Sequence, residues 1–222
     1  MLPVSDVIGL IRSSSGRVRL RQAVRARLFS KCMAVGLCRI LDVPFEAPLA
    51  KVAVDVRPLR PNDDLSFLAV VPGLDPVLAR GRLDQSRLVA ANIPTCWVAA
   101  DSSGAICYMQ WLITARDNGR IRDRWGALFP TLEPDEALLE GAYTAETHRG
   151  KGIMSHAMAL IAQQGLTLGA HRVITFVHHE NIASLKGCEK AGFAPYIERR
   201  EAWSLFRRRV SFVPLNGTPP RT

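Results

Sequence analysis

Apolar positions along this chain change period several times, and each change predicts an element. Leu20, Val24 and Leu28 recur every four residues, and Phe29, Cys32 and Met33 widen the stripe. Arg17, Arg21 and Arg25 run beside it, so a basic amphipathic helix is predicted over residues 16–40. A proline-containing linker, Val43–Leu49, follows, and then Val52, Val54 and Val56 alternate as in a strand. Residues 64–92 predict one or two helices, broken near Pro72-Gly73, with Asp75-Pro76 starting the second. Two apolar runs, Cys96–Ala100 and Ala105–Ile113, flank the turn residues Asp101-Ser-Ser-Gly104 and predict a hairpin. Residues 115–136 are mostly polar and read as a long loop, and Ala137–Thr144 reads as a buried strand. Beyond Gly152 the period turns helical again, with Met154, Met158, Ile161 and Gly165 on one face. Arg172–Val177 is a short strand, Asn181–Ala191 a helix stopped by Gly192, and Glu201–Pro214 holds one or two last strands.

Strands and helices interleave, so an α/β (α+β) chain with a mixed sheet is expected. Three segments are expected: a basic helical N-terminal extension (1–50), a main domain (51–213) and a flexible tail (214–222). Of the 222 residues, 48% are hydrophobic and 22% charged, a globular balance that excludes a largely disordered chain. The five cysteines include no CxxC pair, which points to reduced thiols in a cytoplasmic protein; no metal site is expected. The net charge is +9, and it is uneven: residues 1–60 hold eleven Lys and Arg against four Asp and Glu. That excess suits an anionic partner, such as a membrane surface met by the N-terminal helix, or simply a solvated helix. Nucleic-acid binding ranks below these, because the basic segment lacks interleaved aromatics.

The most informative segment is Thr144–Met154, Thr-Ala-Glu-Thr-His-Arg-Gly-Lys-Gly-Ile-Met, between a predicted strand and a predicted helix. Glycines let a backbone turn tightly and approach a ligand closely, and the unpaired N–H groups of a helix start favour an anion. Arg149 and Lys151 add positive charge. A phosphate or pyrophosphate site is therefore predicted, although neither the Walker spacing nor GxGxxG is present.

Arg149-Gly-Lys-Gly-Ile-Met resembles the pyrophosphate motif [Q/R]xxGx[G/A] of the GNAT acetyltransferases, with Met154 at the position where that family carries Gly or Ala. Asn181-Ile-Ala-Ser-Leu-Lys-Gly-Cys-Glu-Lys-Ala-Gly-Phe193 resembles the family's later motif, N-x-x-[A/S]-x-x-x-Y-E-K-x-G-F, with Cys188 in place of the tyrosine. The resemblance implies a mostly antiparallel sheet flanked by helices. It also implies acetyl-CoA or another acyl-CoA held by Thr144, Arg149, Gly150, Lys151, Gly152, Ile153 and Met154, with Asn181 and Ser184 near the pantetheine. The implied activity is transfer of an acetyl or other acyl group to an amine acceptor, either a small molecule or a peptide. The alternative is a catalytically weak domain that binds acyl-CoA as a sensor or scaffold.

Acyl transfer needs a deprotonated amine, a polarised carbonyl and a protonated leaving thiolate. Cys188, at the position of the family's general acid, and Tyr143 are the candidate proton donors. Glu140 is the candidate base, because strand alternation puts it on the face of Ala142 and Thr144. Glu146 is a weaker candidate base, and His178 and His179 are candidates for lining the acceptor cleft.

Overall fold

The structure is a computed structural model and describes residues 24–215 apart from residue 26. Most of the predicted N-terminal helix and the tail from residue 216 onward lie outside the described residues. The chain divides into two compact units: Val35–Tyr196, and a smaller one formed by Met1–Ala34 with Ile197–Thr222.

The predicted N-terminal helix fails at its C-terminal end. Positions 24, 25, 27 and 28 are helical, but β1 begins at Phe29 and runs to Ile40. The four-residue spacing stops there, and exposure alternates instead. Phe29, Lys31 and Met33 are exposed, Ser30 and Cys32 are half-buried, and Ala34 and Gly36 are buried. A period of two overrides the wider stripe that the helix reading needed.

In the larger unit the strand order is β2-β3-β4-β5-β6-β1, with β2 Val54–Pro58, β3 Cys96–Asp101, β4 Ile106–Thr114, β5 Glu136–Thr144 and β6 Arg172–His178. The pairs from β2 to β5 are antiparallel, and β5 with β6 is parallel. Helices flank this sheet. Helix α1, Pro76–Ala90, starts at Asp75, whose carboxylate accepts from the N–H groups of Val77 and Leu78. Helix α3, Ile153–Gln163, buries Ile153, Ala157, Met158 and Ile161 in the main core with Tyr108, Leu112 and Leu139. Helix α4, Ile182–Lys190, follows β6.

The polar stretch 115–136 is not the loop its composition suggested. It holds α2, Asn118–Trp125, flanked by single 3-10 turns. Ile121 is buried, the Asn118 carboxamide bonds both the N–H and the carbonyl of Leu132, and Trp125 packs edge-on against Phe129. One apolar side chain per turn was too weak a sequence signal for an eight-residue helix.

Two irregularities interrupt β5. Tyr143 lies opposite Met109 but Glu140 lies opposite Trp111, so β5 carries one extra residue facing Gln110, a β-bulge. Gly141 takes φ +70° there, and a Cβ on it would sit 2.8 Å from Trp111 and 2.9 Å from Leu88. The bulge also corrects the expected facing. Cross-strand partners share a face, so Glu140 sits with Tyr143, opposite to Thr144. The second irregularity is a split: β5 pairs with β6 over Glu136–Leu138 and Arg172–Ile174, after which the strands diverge.

β7 (Ala194–Ser204) passes into the smaller unit, where from Ile197 onward it pairs antiparallel with β8 (Arg207–Pro214). Their turn, Leu205-Phe206, has φ of 47° and 63°, values that hairpins usually give to Gly or Asn. The N–H groups of Leu205 and Phe206 donate to the carbonyls of Leu28 and Arg27 at 3.0 and 2.9 Å.

Candidate active site

A cleft of about 770 Å³ lies at the C-terminal end of β5 on the larger unit. One wall is the end of β5, Ala142–Thr144. The floor is the loop and first turn of α3, including Arg149, Gly150, Gly152 and Met154, and the far wall is α4 with Asn181 and Ser184. The glycine loop therefore joins a strand to a helix start.

Local sequence explains the loop's shape. After a 3-10 turn at Glu146–His148, Gly150 and Gly152 take φ of 74° and 76°, which L side chains adopt only with strain. A Cβ on Gly150 would meet nothing within 4 Å, so that backbone is bare towards the cleft. Gly152 caps α3 without a side chain. The first N–H groups of the helix are thus left for an external acceptor, and the positive end of the helix dipole lies beside them. The loop is held from behind: the Lys51 N–H donates to the Lys151 carbonyl at 2.8 Å, and His156 Nδ1 donates to the Pro48 carbonyl at 2.9 Å.

Most of the residues assigned to the cofactor meet here: Thr144, Arg149, Gly150, Gly152, Ile153, Met154, Asn181 and Ser184 all line the cleft. Lys151 is not among its lining residues; it contributes its backbone instead. Arg149 donates to the Thr144 carbonyl at 3.2 Å. Asn181 caps α4 by accepting from the Ser184 N–H at 3.1 Å. Met154 fits because the residue facing it on α4 is Gly187, where a Cβ would lie 3.1 Å from the Met154 sulfur. The sequence reading missed Lys51, Lys186 and Lys190, which also line the cleft. The last two sit four residues apart on α4, a spacing that puts both on one face.

A second cavity of about 220 Å³ adjoins the cleft and shares Ala142, Met154, Asn181 and Ser184 with it. Glu140, His178 and Cys188 line it, and so do Gln85, Gln110 and Thr175, none of which the sequence reading singled out. His179, beyond the end of β6, is exposed and is not among the lining residues. Cys188 is 1% exposed, and burial pushes its thiol up to about 12. Gln110 accepts a 2.6 Å hydrogen bond from the deeply buried Tyr108 hydroxyl.

Tyr143 and Glu146 form a separate pair at the cleft's edge. The Tyr143 hydroxyl donates to Glu146 Oε1 at 2.6 Å, and Arg82 donates to Glu146 Oε2 at 2.7 Å. Burial opposes ionisation of Glu146, but the hydrogen bonds from Arg82 and Tyr143 outweigh it and hold the carboxyl at about 2. Burial raises the Tyr143 phenol, and its bond to the Glu146 carboxylate raises it further.

Residues 56–194 match the acetyltransferase (GNAT) domain family. Among solved structures, the chain is similar to the GCN5-related glucosamine N-acetyltransferase region of a fungal multi-domain GH3 beta-N-acetylglucosaminidase. That match has 14% identity, 86% of this chain and 23% of the other covered, and a TM-score of 0.54. A GCN5-related N-acetyltransferase from Sphaerobacter thermophilus shares 15% identity over 87% of this chain and 58% of its own, with a TM-score of 0.49. A GNAT-family acetyltransferase from Colwellia psychrerythraea shares 12% over 91% and 63%, also at 0.49. The chain thus spans less than two thirds of the length of each of these three proteins. No curated protein sequence matches it.

Proposed function

Because the chain belongs to the GNAT acetyltransferase family, we propose that it transfers an acetyl or other acyl group from acyl-CoA to an amine. The observation that carries this reading is the bare glycine loop at the start of α3, on the floor of a cleft that adjoins a second cavity. Backbone N–H groups from Gly150 to Met154 would hold the pyrophosphate, with Arg149, Lys51, Lys186 and Lys190 supplying positive charge around it. Thr144, Asn181 and Ser184 would flank the pantetheine arm. Bound acyl-CoA supplies the activated carbonyl.

Glu140, which lines the second cavity, would take the proton from an incoming ammonium. Tyr143 is a poorer proton donor, since its hydroxyl is already committed to Glu146. Cys188 at about 12 stays protonated, but giving its proton to a thiolate of ordinary pKa ~8.5 runs uphill. Its place is that of a neutral wall, and positioning carries more of the rate. That same feature favours the second reading, a domain that binds acyl-CoA with little turnover; product formation separates the two.

The test is calorimetric titration with CoA alongside thiol release from acetyl-CoA with a panel of amines. Gly152→Val should weaken CoA binding at least tenfold, about 1.4 kcal/mol. Glu140→Gln should lower kcat by about 10²–10⁴ while leaving CoA affinity unchanged. Unchanged CoA affinity in the Gly152 variant would remove the loop from the site.

A further inference from the structure

The second cavity carries more information than its position beside the cleft. Three of its polar side chains are almost wholly buried: Gln85 is 7% exposed, Gln110 1% and Thr175 5%. They come from α1, β4 and β6, three elements far apart in sequence. Gln85 Oε1 is buried without a hydrogen-bond partner. A buried carboxamide left in that state costs about 1–3 kcal/mol, so one that faces a cavity points to a missing ligand group. The cavity's lining also includes Glu140 and contains no Lys or Arg. Its volume is about 220 Å³.

We propose that this cavity is the acceptor site and that it selects a compact, hydroxyl-bearing primary amine without a carboxylate, with Gln85 and Thr175 hydrogen-bonding the hydroxyl groups. The inference rests on the acyl-transfer reading above. Its chemistry follows from the lining. Glu140 attracts an ammonium and repels a carboxylate, and there is no Lys or Arg in the lining to hold a carboxylate in place. An unsubstituted alkylamine leaves the Gln85 carboxamide oxygen without a hydroxyl partner. Sites built to bond a substrate hydroxyl discriminate strongly against the analogue lacking it, by up to about 10⁴-fold or more. The reaction balances: the amine nitrogen forms the new amide bond, the thioester C–S bond breaks, Glu140 takes one ammonium proton, and a second proton from the same nitrogen passes to the sulfur, so that CoA leaves as the thiol.

The test uses three amines built on one skeleton, three carbons with the amine on the middle one: 2-amino-1,3-propanediol, isopropylamine and serine. Their binding to the CoA-saturated full-length chain is measured by calorimetry, and kcat/KM is measured by thiol release from acetyl-CoA. The aminodiol is expected to exceed both others by at least tenfold in either measurement. Gln85→Leu, close in volume, should cut the preference for aminodiol over isopropylamine at least tenfold and leave CoA affinity intact. Thr175→Val should act in the same direction, which guards against a folding defect in the first variant. A preference for isopropylamine or serine overturns the inference, and so does an unchanged preference in both variants. If the aminodiol binds selectively but no acyl transfer occurs, the acceptor site stands and the transfer reading fails. If transfer proceeds equally to all three amines, the transfer reading stands and this inference falls.

Discussion

Gly141 offers the sharpest test of how the site is built, because its role rests on geometry rather than on motif. Gly141→Ala adds one methyl group at φ +70°, where it would lie 2.8 Å from Trp111 Cε3 and 2.9 Å from Leu88 Cδ1. The left-handed backbone costs an alanine about 1–2 kcal/mol. The clash adds about 1–3 kcal/mol, because Trp111 and Leu88 are buried and packed, at 2% and 7% exposure. The sum is about 2–5 kcal/mol, against a typical total of about 5–15 kcal/mol. For a chain of this size each kcal/mol moves the melting temperature by about 2–4 °C, so a drop of about 4–20 °C is expected. Gly104→Ala is the control. Its φ is +87°, but a Cβ there meets nothing within 4 Å, so only the backbone term remains. Thermal unfolding of both variants, followed by circular dichroism, separates strain from clash. If Gly141→Ala melts no lower than Gly104→Ala, the bulge is not packed as described and the reasoning fails.

Three other outcomes are expected. Glu146, held at about 2 against an ordinary 4.5, contributes stability that is complete above pH 4.5 and lost as pH falls towards 2; Glu146→Gln should flatten acid unfolding across that window, as read by fluorescence. In the smaller unit, Leu205→Asn with Phe206→Gly should relieve the left-handed turn and stabilise the protein by about 1–2 kcal/mol in a urea titration, and a loss of stability would refute it. Arg39, 4% exposed, donates to the carbonyls of Ala159 and Ala191 and to Gln163. Arg39→Ala should therefore cost about 2–4 kcal/mol, measured the same way, and a change below 1 kcal/mol would show those bonds to be idle.

Local chemistry made much of this protein readable in advance. The β3–β4 hairpin, the strand ending at Thr144, the glycine loop and the helices at either end of β6 each carry their signal within a dozen residues. Turn glycines, caps and apolar period act over that range, and the likeness to the GNAT motifs added the family. What needed the tertiary structure depends on contacts between distant segments. The facing of Glu140 changed because one extra residue at Gly141 shifts every later side chain across the sheet. Residues 29–40 became β1 because neighbouring strands claim their backbone, against a helical spacing that was only local. Gln85, Gln110 and Thr175 look like ordinary polar residues in sequence, and only the packing of α1, β4 and β6 buries them around one cavity. A motif records how a chain turns at one place, whereas a cavity is made by surfaces from several, and no single stretch of sequence contains it.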